Sequence, residues 1–323
     1  MKMRTVVLVS LSILTVVSCS APEEDSSEVA LGDLVAIADG SMRGVAAPDS
    51  QGIFSFKGIP YAKPPVADLR WRPPQPVEAW VGELDASSFS KHCWQPQRNP
   101  ESFYGGPPIE RSEDCLFLNV WSGAERVGEG RPVMVWIHGG GLRTGSGASA
   151  WYDGTALARK GVVVVTINYR LGVLGFLAHP ALTAESAHGS SGNYGLLDQV
   201  AALEWVRENI AAFGGDPQNV TIFGESAGSW SVNYMVATPL AKGLFHRAIG
   251  ESGGNFAVMA ALHPAADQIG DSAEEIGERY AAALGLDDNV TAADLRAKTA
   301  EDLYEALAGG ARFSARANVD GWV

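Results

Sequence analysis

The stretch VTIFGESAGSW, Val220 to Trp230, runs from an apolar, β-branched segment into a serine set between two glycines. Between a strand and a helix, the pattern G-x-S-x-G reads as a tight turn that lifts the serine above the edge of a sheet. Such a turn brings the residues two before and two after Ser226 so close that their side chains would collide. Gly224 and Gly228 remove that collision. The helix that follows presents its N-terminus to any anion forming at the serine. Ser226 is therefore the candidate nucleophile.

Working outward, the flanking segments supply a sheet for that turn. PVMVWI (132–137) and VVVVTI (162–167) are unbroken apolar runs of the kind buried on both faces of a parallel sheet. Between 194 and 215, apolar residues at Leu196, Leu197, Val200, Leu203, Val206, Ile210 and Phe213 recur at helical spacing, and Gly214 ends the run. Alternating strands and helices predict a parallel α/β sheet. HGGG (138–141) follows the strand 132–137 directly. Attack on an ester carbonyl creates an oxyanion, and backbone N–H groups approach it closely only where side chains are absent. The amides of Gly140, Gly141 and Ala227 are the candidate oxyanion donors, each worth roughly 3 kcal/mol in the transition state.

The margins differ from this centre. Residues 33–59 alternate apolar and polar between glycine turns and predict a small antiparallel sheet. Residues 60–110 are rich in proline and aromatics and read as long ordered loops, and CLFLNVW (115–121) reads as a strand. From about Ala265 the pattern turns helical, with Thr291 and Asp294, and Thr299 and Asp302, spaced as N-terminal caps. Residues 271–310 hold ten acids and three bases, which reads as a solvated helical face.

Composition narrows the function classes. Hydrophobic residues make up 46% of the 323 and charged residues 19%, as in a globular chain. The net charge of −13 argues against a nucleic-acid partner, which would want a basic face. MKMRT followed by VVLVSLSILTVV has the form of an export signal, with an apolar core too short to span a bilayer. Small residues before Cys19 resemble a bacterial lipobox, so residues 1–18 are expected to be a signal peptide, Cys19 a lipid anchor and 19–32 a polar tether. The alternative is ordinary cleavage near Ser20 or Ala21. Either way the protein is exported, to the bacterial envelope as a lipoprotein or else secreted or periplasmic. Outside the cytoplasm the remaining pair, Cys93 and Cys115, is expected to bridge. No metal-ligand spacing is present, and no cofactor is expected.

The quoted motifs, with FKGIPYAKPP (56–65), LRWRPPQP (69–76), EDCLFLNVW (113–121), NYRLGVLGFL (168–177), FGGDPQNVTIFGESAG (213–228), GLFHRAIGESG (243–253) and, more weakly, VDG (319–321), resemble the type B carboxylesterases, the family of bacterial carboxylesterases and cholinesterases. The resemblance implies an α/β-hydrolase fold over 33–323 and a serine carboxylic-ester hydrolase acting on small-molecule esters through an acyl-enzyme at Ser226. It implies Cys93–Cys115 as the family's first disulfide, and Ser252 and Glu225 as supporting residues near the nucleophile. Leu142 stands where the family often has phenylalanine. In this family the triad acid and histidine come long after the serine, beyond Val323, and neither His246 nor His263 sits in a segment expected to carry a base. The chain is therefore expected to be a fragment, lacking the later strands and nearly inactive alone. The competing reading is a non-catalytic binding or adhesion module on the same fold; such relatives commonly lose the nucleophile, which is retained here.

Overall fold

The computed structural model describes residues 30–47, 52–97, 101, 108–254, 259–265, 270–287 and 289–323. The proposed signal, Cys19 and most of the tether lie outside these residues.

In chain order, β1 (Leu34–Ile37) and β2 (Gly40–Arg43) form an antiparallel hairpin, followed by β3 (Val45–Ala46) and β4 (Phe54–Pro60). A short β5 (Glu83–Asp85) pairs in parallel with β2, and β6 (His92–Cys93) pairs with β7 (Arg111–Ser112). Then come β8 (Phe117–Ser122), β9 (Arg131–Ile137), α1 (Thr155–Ala158), β10 (Val163–Ile167), α2 (Gly172–Phe176), α3 (Pro180–Glu185), α4 (Tyr194–Asn209), β11 (Gly215–Glu225), α5 (Ala227–Ala237) and β12 (Arg247–Glu251). Three helices follow: α6 (Ala273–Ala283), α7 (Ala292–Ala297) and α8 (Ala300–Ala308).

The central sheet has seven strands in the order β12-β11-β9-β10-β8-β4-β3. β10, β9, β11 and β12 are mutually parallel, and β8, β4 and β3 add antiparallel strands on one side. The alternating segment 33–59 thus divides. Its first two strands build the small sheet with β5, whereas β3 and β4 extend the central one. Parallel strands must be covered on both faces, which is why the paired stretches 133–137, 163–167 and 220–224 are mostly apolar. Val133, Val135, Ile137, Val163, Val165, Ile167, Val220 and Ile222 are fully buried. α4 lies over them, its Leu203 and Val206 also fully buried. It passes into a 3-10 turn at 210–213 and ends at Gly214, whose φ of 78° is left-handed. A Cβ there would lie 2.2 Å from that of Ala124.

A buried charge pair ties the loop after β10 to α4. Arg170 donates through Nε and Nη2 to the Asp198 carboxylate at 2.8 and 2.6 Å, and its amide donates to the same group at 3.0 Å. The side chains are 4% and 0% exposed, so neither charge has water as an alternative partner. The terminal helices rest on a second apolar cluster that includes Trp71, Leu177, Tyr194, Tyr280, Leu295 and Leu303. Capping boxes begin all three, at Ser272, Thr291 and Thr299, the latter two as spacing predicted. Arg70 locks them to the disulfide loop, donating to Glu113 at 2.6 Å and to the carbonyls of Arg296 and Lys298. Cys93 and Cys115 are bonded, with their Cα atoms 4.9 Å apart. No helix among the described residues is long and apolar enough to cross a membrane.

Two stability outcomes follow from these ties. Replacing both Cys93 and Cys115 by serine removes a covalent closure and is expected to lower stability by about 3 kcal/mol, read as a lower denaturant midpoint. Asp198→Ala strands the buried Arg170 guanidinium and should cost about 3–5 kcal/mol. An Asp198→Ala protein melting with the parent would show that the pair is dispensable.

Candidate active site

Ser226 stands between β11 and α5 with φ 56° and ψ −121°. Non-glycine residues avoid this region, and holding one there costs of order 1–3 kcal/mol. The surroundings impose it. β11 and β9 pair in parallel with Gly224 opposite Ile137. A Cβ on Gly224 would lie 2.6 Å from the carbonyl carbon of Gly228 and 2.7 Å from the Ile137 oxygen. One on Gly228 would come within 2.1 Å of that same oxygen. The collision inferred from sequence is therefore real, and Ile137 is a party to it. Among the described residues the Ser226 hydroxyl has no hydrogen-bond partner, while its amide donates to the Glu251 carbonyl at 2.9 Å.

The glycine loop interlocks with this turn. A Cβ on Gly139 would meet the Glu225 carbonyl at 2.6 Å, the Ser226 Cβ at 3.2 Å and the Glu225 Oε2 at 3.3 Å. The loop thus lies directly beside the serine. Gly140 and Gly141 have φ of 103° and 65°. A Cβ on Gly140 would strike the Thr144 carbonyl at 2.1 Å. Among the described residues neither glycine amide donates a hydrogen bond. Ala227 opens α5, and the first N–H groups of a helix have no acceptor within it. Leu142 is fully buried with φ 58°, and its carbonyl accepts from Gly172 at 2.8 Å. The loop is pinned from both ends.

His138 belongs to that support. Its ring stacks on Tyr169 at 4.4 Å, and Nδ1 lies 2.8 Å from the Gly139 carbonyl. Tyr169 donates its hydroxyl to the His138 carbonyl at 2.8 Å. Burial pushes the Tyr169 phenol well above its ordinary pKa, which keeps it a neutral donor. Tyr169 and the Arg170–Asp198 pair are contributors that the sequence reading passed over. Charged residues inside the otherwise apolar segments NYRLGVLGFL and GLLDQVAALEW were the available signal, since buried Arg and Asp occur almost only as partners.

The second G-E-S segment runs alongside the first. β12 pairs with β11 so that Gly250 lies opposite Gly224 and Glu251 opposite Glu225. Ser252 repeats the left-handed conformation, with φ 52°. A Cβ on Gly253 would lie 2.3 Å from the Ser226 carbonyl, so this segment forms a wall of the turn. Ser229 fastens it by donating to the Gly253 carbonyl at 2.6 Å. Ser252 and Glu225 are both exposed.

The other histidines are engaged elsewhere. His246 accepts at Nδ1 from the Val220 amide at 3.2 Å, and His263 pairs with Glu274 at 2.7 Å. His179 caps α3 by accepting from the Ala181 amide, and burial lowers its pKa, which favours the neutral ring that can accept. His188 stacks on Trp322 at 3.8 Å, and His92 lies in β6 beside the disulfide. Among the described residues no histidine is hydrogen-bonded to Ser226.

Known proteins share this arrangement. The model of the Carboxylesterase family matches residues 32–321. The chain is 54% identical over 209 residues to the fumonisin B1 esterase of Sphingopyxis macrogoltabida, covering 64% of this chain and 38% of that protein. It is 52% identical over 203 residues to the para-nitrobenzyl esterase of Bacillus subtilis, covering 62% and 40% respectively. A crystal structure of a Geobacillus stearothermophilus carboxylesterase superposes with a TM-score of 0.76 at 44% identity, covering 90% of this chain and 56% of that one. The chain thus spans about half or less of the length of these relatives. The sheet order, the elbow at Ser226 and these matches lead to one assignment: the chain has the α/β-hydrolase fold and belongs to the carboxylesterase family.

Proposed function

We propose that the protein is a serine carboxylic-ester hydrolase in which Ser226 forms the acyl-enzyme. The observation that carries this reading is the contact between the glycine loop and the elbow, with Gly139 packed against Ser226. An ester carbonyl placed on the hydroxyl would have its oxygen beside the amides of Gly140, Gly141 and Ala227. Attack by the Ser226 oxygen on the carbonyl carbon forms a tetrahedral oxyanion, and those donors stabilise it before it forms because the loop is already fixed. Collapse expels the alcohol and leaves an acyl-serine, which water then hydrolyses. Ser252 and Glu225, on the rim of the turn, would support the site without bonding to substrate.

The proton must move from the serine to a base and on to the leaving alcohol. His138, His179, His188, His246 and His263 have the other partners described above, and none of the six histidines is hydrogen-bonded to Ser226 among the described residues. We therefore place the triad histidine and its acid outside these 323 residues, and expect the chain alone to be nearly inactive. Retention of Ser226 and of the whole HGGG loop favours an enzyme over a binding module. Export with a lipid at Cys19 is part of the same proposal, and it rests on the basic start, the apolar run and the small residues before Cys19. The substrates would then be small-molecule esters outside the cytoplasm.

Hydrolysis of p-nitrophenyl acetate is to be followed in the 323-residue chain and in one extended through the codons downstream of Val323, each with and without Ser226→Ala. Activity is expected in the extended chain, and Ser226→Ala should reduce its turnover by about 10⁶-fold. A fluorophosphonate probe should label the extended parent and not the variant. Equal hydrolysis by parent and variant refutes the acyl-enzyme. For the anchor, a palmitate analogue fed to expressing bacteria should label the protein and leave Cys19→Ala unlabelled; label on both would place lipid elsewhere.

A further inference from the structure

Beyond the loop, a cavity of about 440 Å³ opens between Arg143 and the terminal helices. That is enough for one part of a small ester. Arg143 follows Leu142, and its amide donates to the Gly140 carbonyl at 3.1 Å. Its Cα is therefore at most about 7.6 Å from that of Gly141. Arg143 makes no ion pair or side-chain hydrogen bond among the described residues. Arg111 stands on the same cavity, its guanidinium 4.1 Å from the Trp94 ring centroid and its Nη1 donating to the Gln95 carbonyl at 2.8 Å. One cation is thus fixed and the other is unengaged.

The cavity also has acids, Glu301 and Glu305, exposed on α8. Both are exposed, as is Arg143, whereas Arg111 is half-buried. Tyr304 stands in the wall, donating its hydroxyl to the Trp94 carbonyl at 2.8 Å. Burial pushes its phenol up, and the nearby cations Arg111 and Arg143 pull against that. The lining therefore carries two arginines and two glutamates, with Arg143 on the glycine-loop side and the glutamates on α8.

We propose that this cavity receives an ionised carboxylate carried by the ester, with Arg143 as the residue that selects it. The inference rests on the ester-hydrolase reading for its location beside the reacting carbonyl. Guanidinium–carboxylate hydrogen bonds are charge-assisted and geometrically selective. The preferred substrates would be half-esters, in which the acyl or the alcohol part keeps a free carboxylate. Hydrolysis adds water across the ester bond, releasing the alcohol and a second carboxylate.

The test is titration of Ser226→Ala protein, 323-residue and extended, with monomethyl glutarate and with neutral dimethyl glutarate, followed by calorimetry. The half-ester is expected to bind at least about ten-fold more tightly, and more weakly as salt is raised. Adding Arg143→Ala should bring the half-ester to the level of the diester without changing the diester, and Arg143→Lys should restore part of the preference. Equal binding of the two esters, or a preference that survives Arg143→Ala, overturns the inference. In the extended active chain, p-nitrophenyl hemiglutarate against the acetate ester of a carboxylate-bearing nitrophenol shows which side carries the anion. Hydrolysis of p-nitrophenyl acetate with no half-ester preference leaves the hydrolase standing and removes the anion site. Half-ester binding with no Ser226-dependent hydrolysis does the reverse.

Discussion

The carbonyl of Ile137 leaves no room for a methyl group beside it. Gly224 and Gly228 both press on that oxygen, one from the paired strand and one from the first turn of α5. The contact joins the end of β9 to the turn after β11, and the glycine loop begins at the end of β9. The proposed donors and the serine are thus brought together by one backbone contact, which side chains then support. The strain at Ser226 persists because the strands, α5 and the β12 wall together leave the chain no other path. Catalytic geometry held by main chain in this way tolerates much change in the surrounding side chains but almost none in its glycines.

The same reasoning explains what could be read from the sequence. The elbow, the glycine loop, the buried runs at 132–137 and 162–167 and the helix ending at Gly214 all follow local rules of periodicity and steric need, and all are present. The caps at Thr291 and Thr299 are equally local. What was not legible depends on partners distant in the chain. β5 has three residues and no periodicity, so nothing in Glu83–Asp85 announces its pairing with β2. The division of 33–59 between two sheets is set by β8, which offers β4 an open edge. Arg170 and Asp198 stand 28 residues apart, so the apolar segments around them hint that each is buried without saying which partner it takes. The left-handed conformation of Leu142 has no sequence mark at all, because a buried leucine there is dictated by its neighbours on both sides.

Support for the site is layered. Tyr169 holds the His138 carbonyl, Gly172 holds that of Leu142, and Arg170 ties the segment carrying both to α4. A change at Asp198 would therefore reach the glycine loop through one short segment. The terminal helices connect through other contacts, Arg70 with Glu113 and the carbonyls before α8, so the disulfide loop and the helices form one wall. That wall carries Arg111 and Tyr304, and the loop carries Arg143. The cavity between them is lined by two independently anchored units, so its width is set by how the units dock and not by the flexibility of either.

The overall charge of −13 opposes the approach of an anion to the cavity. Distance resolves the conflict. At 0.1 M salt the screening length is about 10 Å, so acids spread over the surface act weakly at the cavity. Many of them are also compensated locally: Glu113 by Arg70, Glu185 by Arg296, Asp198 by Arg170. Among the described residues Arg143 makes no such pair, although Glu301 and Glu305 line the same cavity. Net charge then governs how quickly an anionic ester approaches, while the two arginines govern how it is held. A protein acidic overall, with two arginines lining the proposed site, would capture such esters slowly and hold them by short-range contacts.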